Sequence, residues 1–394
     1  MSTKVEIYDT TLRDGEQAPG IHLSPEQKLR VALRLEEAGV DIIEAGFPVN
    51  GESEKKAIKM IVREVEDSEV AVLCRPIPEE IEMCQDLLSK ASRSRLHLWI
   101  ATSPIHMRSK LHMDEEEVLI KTVKALRYAS GRFDVVQFTS EDATRSNLGF
   151  LSKVMRESVR AGAEVVNVAD TLGCALPDQM SLLVKHIRRA VKDRVPVGVH
   201  CHNDLGLATA NSLASLRVGA RHVDVTVTGI GERAGNASLE QIAAIMSFHK
   251  KSLGIDYNLK MDRLGKLCDT VISEMDLDIE LFHPLIGKNA FRHEAGIHVH
   301  GMLNNPMTYE LVDPRKFGLK GGEFVIGKHT GRAAVKDFLE KHDLTIDDDE
   351  LGKLTDMIKE RTTYKGPFTS DRELINFASL SGFDLISRGR FKDE

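Results

Sequence analysis

The feature that most narrows the fold of this chain is a unit repeated through its first 270 residues. In each unit a short β-branched or apolar run is followed by a longer segment with apolar residues three and four apart. The runs are VEIYDT (5–10), VDIIEAGF (40–47), VAVLC (70–74), LHLWIA (96–101), DVVQFT (134–139), AEVVNVA (163–169), VPVGVHC (195–201) and HVDVTV (222–227). Between them lie segments such as SPEQKLRVALRLEEAG (24–39) and DEEEVLIKTVKALRYAS (114–130). Ser24, Pro25 and Gln27 supply a helix-start signal to the first of these. Eight strand–helix units over some 230 residues predict an α/β fold, a closed (β/α)8 TIM barrel. An open doubly wound sheet also alternates strands and helices, but eight evenly spaced units favour closure. From about residue 270 the periodicity changes: 289–314 mixes turn residues with His and Tyr, while 333–344 and 347–364 read as helices. The expectation is a barrel domain over 1–270 and a smaller, mostly helical C-terminal region over 271–394, packed together because no low-complexity linker separates them.

Composition excludes several functions. With 53 Lys plus Arg against 60 Asp plus Glu, the net charge of -7 argues against a nucleic-acid partner. A single Trp (Trp99) and few other aromatics leave no base-stacking platform. The five cysteines are widely spaced with no C-x-x-C, which is reduced, cytosolic usage. The start, MSTKVEIYDTTLRDGEQ, has no signal-peptide core, and no window approaches the roughly 18 apolar residues of a membrane span. A cytoplasmic protein with no membrane partner is expected.

In a (β/α)8 enzyme the active site lies at the carboxyl ends of the strands. Those ends carry Thr10, Thr11, Arg13 and Asp14 after the first run, Glu44 in the second, and Thr102 and Ser103 after the fourth. The fifth supplies Ser140, Glu141 and Asp142, the sixth Asp170 and Thr171, the seventh His200, His202, Asn203 and Asp204. The opposite strand ends read as ordinary connections. Because alternate strand residues share a face, His200 and His202 can present two imidazoles to one point, while Cys201 faces away. Two histidines making unrelated hydrogen bonds would give the same text. Here Asp14 converges from the first strand and Asn236 from the loop after the eighth, so the four are expected to form a mixed N/O site for Mn²⁺, Mg²⁺ or Zn²⁺. GIGERAGNASLE (229–240) is either a tight turn or an anion-binding loop. Arg13, beside Asp14, suits a substrate oxyanion, a role compatible with a salt bridge to Glu44 or Glu141. Metal and Arg13 together fit the carbonyl and carboxylate of a 2-oxo acid.

DTTLRDGEQ (9–17), HCHNDLG (200–206) and GIGERAGNASLE resemble the metal-dependent acyltransferases that include 2-isopropylmalate, homocitrate and citramalate synthases. AFRHEAGIHVHGMLNNPMTYELVDP (290–314) and GKHTGR (327–332) extend the likeness to nearly the whole chain. The resemblance implies a Claisen-type condensation of acetyl-CoA with a 2-oxo acid, followed by thioester hydrolysis. It implies Asp14, His200, His202 and Asn236 at the metal, and Arg13, Glu141, His298 and Tyr309 in catalysis. Arg13, Gln17, His97 and Thr171 are implied at the substrate. It also implies a homodimer whose C-terminal region completes a neighbour's site. HLWIATSPIHM (97–107) and ERAGNASLE point to the isopropylmalate type and leucine biosynthesis, whereas Ala169 before DT is more like homocitrate synthase. Citramalate and citrate synthases of the same family follow. The usual leucine-binding regulatory domain is not expected, since the chain ends too early for one. A hydroxymethylglutaryl-CoA-type aldol lyase is the alternative of a different class; such lyases lack the AGIH…TYE segment.

Overall fold

Eight parallel strands close on themselves in chain order. They are β1 (Glu6–Asp9), β2 (Ile42–Glu44), β3 (Glu69–Cys74), β4 (Ser94–Ala101), β5 (Val135–Glu141), β6 (Val165–Asp170), β7 (Val197–Cys201) and β8 (His222–Val225). Closure is made by β1 and β8, whose register pairs Glu6 with His222 and Asp9 with Val225. The closed (β/α)8 barrel is therefore present, and the open sheet is not. The structure is a computed structural model and describes residues 3–383 and 385–387; the outermost residues of the two expected regions, 1–2 and 388–394, lie outside these.

The helices follow from the sequence pattern. Helix α1 (Pro25–Glu37) starts at a capping box in which Gln27 N donates to Ser24 Oγ (3.2 Å) and Ser24 N donates to Gln27 Oε1 (2.9 Å). It buries Lys28, Val31, Ala32 and Leu35, one face of a 3.6-residue period. Each large aliphatic side chain removed from water in this way contributes roughly 1.5–3 kcal/mol. Helices α2 (Glu52–Glu64), α3 (Pro78–Leu88), α4 (Glu115–Ala129), α5 (Leu148–Arg160), α6 (Pro177–Val191), α7 (Ala208–Arg217) and α8 (Leu239–Leu253) alternate with the strands. A ninth, α9 (Leu264–Met275), is held to α1 by Gln27 Nε2, which donates to Glu274 O (2.9 Å), and by Arg30 on the Glu274 carboxylate.

The chain divides into two compact units, Met1–Asp278 and Ile279–Glu394. In the second unit, α10 (Gly296–Asn304), α11 (Arg332–Lys341), α12 (Asp348–Lys365) and α13 (Asp371–Leu380) are joined by two-residue strand pairings. Val335, Leu339, Leu354, Ile358 and Leu374 form its core. AGIH and GKHTGR meet here: a Cβ on Gly296 would stand 2.7 Å from the Gly331 backbone, so the approach needs both glycines bare.

One expectation is corrected. The amino-terminal strand ends are not ordinary connections, because Arg95 is fully buried there with its Nε 2.7 Å from Glu69 and its Nη1 donating to Gln137 Oε1 at 3.0 Å. Polar residues in strand runs read as exposed alternation, whereas a closed barrel turns that face inward. Among the described residues no helix is long and apolar enough to cross a membrane.

Candidate active site

The loop after β1 is shaped around one buried carboxylate. Glu44, at the end of β2, accepts from Thr10 Oγ1 (2.6 Å), Arg13 Nε (2.7 Å) and Tyr8 Oη (2.7 Å). Thr10 Oγ1 in turn accepts from Asp14 N (3.2 Å), and Arg13 Nη1 donates to Asp14 Oδ2 (2.7 Å). Burial raises the Glu44 pKa, but Arg13 and His97 outweigh it and hold it at about 2. Arg13 is thus aimed across the barrel mouth by a charge that stays ionised. Of the two bridges open to it from sequence, the one to Glu44 forms; Glu141 pairs instead with Lys110 Nζ (2.7 Å).

At the end of β7, His200 and the next residue but one, His202, face each other, with their Nε2 atoms 3.2 Å apart. Asp14 Oδ2 stands 3.5 Å from the first and 3.8 Å from the second. Their Nδ1 atoms are occupied by Asp224 Oδ2 and Gly235 O, each at 3.2 Å. Burial disfavours both charged imidazoles; at His200 the Asp14 and Asp224 carboxylates overcome it and push the pKa up to about 9, whereas His202, beside charged His200, falls to about 4. The triad therefore accommodates one positive charge between two nitrogens and a carboxylate. One ligand atom from each lies within 4.8 Å of the others, and all three residues are buried. Asn236 adds a buried Oδ1 that has no hydrogen-bond partner. Two imidazoles and a carboxylate fit a divalent cation. Asn236 differs from expectation in one respect: its Nδ2, not its oxygen, faces Asp14 Oδ1 (3.0 Å).

The glycine-rich turn serves close approach. A Cβ on Gly231 would meet Asn236 Nδ2 at 2.1 Å and Asp14 Oδ1 at 2.9 Å. The turn also offers its Glu232 N to Asp14 Oδ1 (3.4 Å).

Arg13, Asp14, His200 and His202 line a cavity of about 360 Å³ together with Gln17, His97, Glu141 and Thr171. Phe47, Leu73, Trp99 and Ala169 supply its apolar wall. His97 stands in the floor with both nitrogens engaged, Nδ1 by Glu44 (2.7 Å) and Nε2 by Thr139 (2.6 Å). Thr171 Oγ1 accepts from Asp142 N (2.8 Å), which leaves its O–H to donate. Glu141 Oε2 is buried without a partner. His298 and Tyr309 lie in the second unit, their rings 4.1 Å apart and tilted by 34°, with His293 6.5 and 6.4 Å away. Sequence reasoning missed Asp224, whose inward charge was hidden inside the run HVDVTV, and Lys110, carried by a π-helical turn (Met107–Leu111).

The sequence and the fold have counterparts. A family model described as HMGL-like matches residues 4–271, and one described as Homocitrate synthase post-HMGL domain-like matches residues 285–365. Hydroxymethylglutaryl-CoA lyase from Pseudomonas aeruginosa superposes with a TM-score of 0.61 at 20% identity, over 71% of this chain and 95% of that one, a likeness of fold alone. The barrel is thus of the HMGL-like class. The 2-isopropylmalate synthase of Sulfolobus acidocaldarius is 45% identical over 359 residues, 91% of this chain and 91% of that one. That of Halothermothrix orenii is 40% identical over 393 residues, covering 98% of this chain and 76% of that one. The chain belongs to the 2-isopropylmalate synthase family.

Proposed function

We propose that the chain condenses acetyl-CoA with 2-oxoisovalerate and hydrolyses the thioester, releasing 2-isopropylmalate and free CoA in the leucine pathway. The observation that carries this is the convergence of Asp14, His200 and His202 beside Arg13 in one cavity. A divalent cation held by those three ligands, with Asn236 adjacent, would polarise the keto group of the bound 2-oxo acid as a Lewis acid. Arg13, fixed by Glu44, holds the keto oxygen as it gains negative charge. Thr171 donates its O–H to the substrate carboxylate, Gln17 flanks Arg13 (3.4 Å), and His97 closes the floor. The methyl carbon of acetyl-CoA loses a proton and bonds to the keto carbon, whose oxygen becomes the product hydroxyl. Water then cleaves the C–S bond. We assign proton handling in these steps to Glu141, His298 and Tyr309.

The cavity favours a branched apolar side chain over the second carboxylate of 2-oxoglutarate. Lys110 is paired with Glu141 and Arg233 with Asp204 (2.8 Å), so among the described residues lining the cavity neither of Arg13's Lys and Arg neighbours is free to hold another carboxylate. Phe47, Leu73 and Ala169 suit an isopropyl group. The enzyme works as a homodimer in the cytoplasm, a setting consistent with five free cysteines. The deciding experiment is thiol release from acetyl-CoA with pyruvate, 2-oxoisovalerate, 2-oxoglutarate and oxaloacetate. The highest kcat/KM is expected with 2-oxoisovalerate; a preference for 2-oxoglutarate would assign homocitrate synthesis instead.

A further inference from the structure

Inside the barrel, a line of ionisable side chains takes no part in the chemistry above. Asp224 Oδ2 lies 3.2 Å from His200 Nδ1 and accepts from Asn167 Nδ2 at 2.9 Å. Asp224 Oδ1 lies 3.1 Å from His222 Nε2. His222 Nδ1 lies 3.6 Å from Glu6 Oε2, which is itself 3.7 Å from Arg95 Nη2. The line follows from strand alternation: His222 and Asp224 share a face of β8, and the register sets them beside Glu6 and Tyr8 of β1. Gly198 of β7 stands opposite His222, and a Cβ there would come within 2.7 Å of the imidazole, so bare backbone makes room for the ring.

Asp224, His222 and Asn167 are buried, and apolar residues could fill the same space without the cost of desolvating charges. What the charged residues add is direction. A carboxylate on Nδ1–H fixes the tautomer of an imidazole, leaves the Nε2 lone pair free, and makes that nitrogen a better donor to a metal. His200 Nε2 is the atom that faces His202 Nε2 and Asp14.

We propose that Asp224, braced by Asn167 and by the His222–Glu6 pair, is the positioning residue that turns His200 Nε2 toward the metal. This rests on the metal site read above. The test is titration of the metal-free protein with Mn²⁺, followed calorimetrically. Asp224→Asn is expected to bind about 10–100-fold more weakly than the wild type. His222→Leu weakens binding in the same direction, and His222→Gln, which keeps an N–H for Asp224, restores it. In the Zn²⁺-loaded wild type, ¹⁵N shifts should report His200 protonated at Nδ1. A purely structural role predicts a lower melting temperature with unchanged affinity. Wild-type affinity in Asp224→Asn therefore overturns the proposal, as does metal on His200 Nδ1. Should Asp224→Asn fail to fold, equal affinities of the two His222 variants overturn it. A wild-type chain that takes up no Mn²⁺ overturns the metal reading and this inference together.

Discussion

Arg13 and Asp14 are neighbours in sequence that serve different partners, one turned to Glu44 and the other to two imidazoles. Their division of labour gives a prediction at the level of single residues. His202→Ala should lose Mn²⁺ binding and turnover together. His298→Ala should keep wild-type Mn²⁺ affinity and slow condensation about 10²–10⁴-fold, the range of a lost acid or base. Calorimetry and thiol release on the same samples check both, and an unchanged rate in His298→Ala removes it from the mechanism. His200 and His202 were legible because a period of two needs no tertiary information. Asp224 was not, because a charge within an apolar run has no partner until β1, β7 and β8 close around it. The amide direction of Asn236 was likewise hidden, since it depends on Asp14 arriving from across the barrel.

At the scale of elements, the loop bearing Arg13 is clamped by a buried lysine. Lys28 of α1 donates from Nζ to Leu12 O (2.9 Å) and meets Glu16 (2.6 Å) and Glu54 of α2 (2.5 Å). Lys28→Ala leaves two carboxylates without their cation and should cost about 3–5 kcal/mol, read from the denaturant midpoint. At the other end of the barrel, His222 and Arg95 outweigh burial and hold Glu6 at about 2, against an ordinary value of 4.5. A depressed carboxylate stabilises the fold above its unfolded pKa, and the contribution disappears as pH falls through its folded pKa. Between about pH 4.5 and 2 the wild type should therefore lose stability that Glu6→Gln never had. Since Glu6 is 30% exposed, screening reduces the effect to roughly 1–2 kcal/mol. Acid titrations of the two proteins that run parallel would refute this. Helix α1 was readable in advance because its capping box and apolar spacing are local; the Lys28 clamp joins three segments and was not.

For the whole molecule, the two units place the proposed metal ligands in one and His298 with Tyr309 in the other. The proposed homodimer, in which one copy's second unit serves the other's barrel, predicts complementation. His202→Ala, inactive alone, and His298→Ala, strongly slowed alone, should together regain partial thiol release when unfolded and refolded as a mixture. No recovery would mean that each chain works by itself or that the dimer is absent. Electrophoretic exchange of tagged subunits separates those two outcomes.

Taken alone, the sequence determined the strand–helix alternation, the count of eight that closes a barrel, and the pair of imidazoles on one strand face. All of these are periodicities, and a period is a local property of the chain. Tertiary structure decided what those elements surround. It made Glu44 the anchor of Arg13, gave Glu141 to Lys110, and set Asp224 behind His200. Each of these pairs joins residues from different strands or loops. Barrel closure brings such charges within a few ångströms and excludes water from between them, and only then does their choice of partner carry a large free energy.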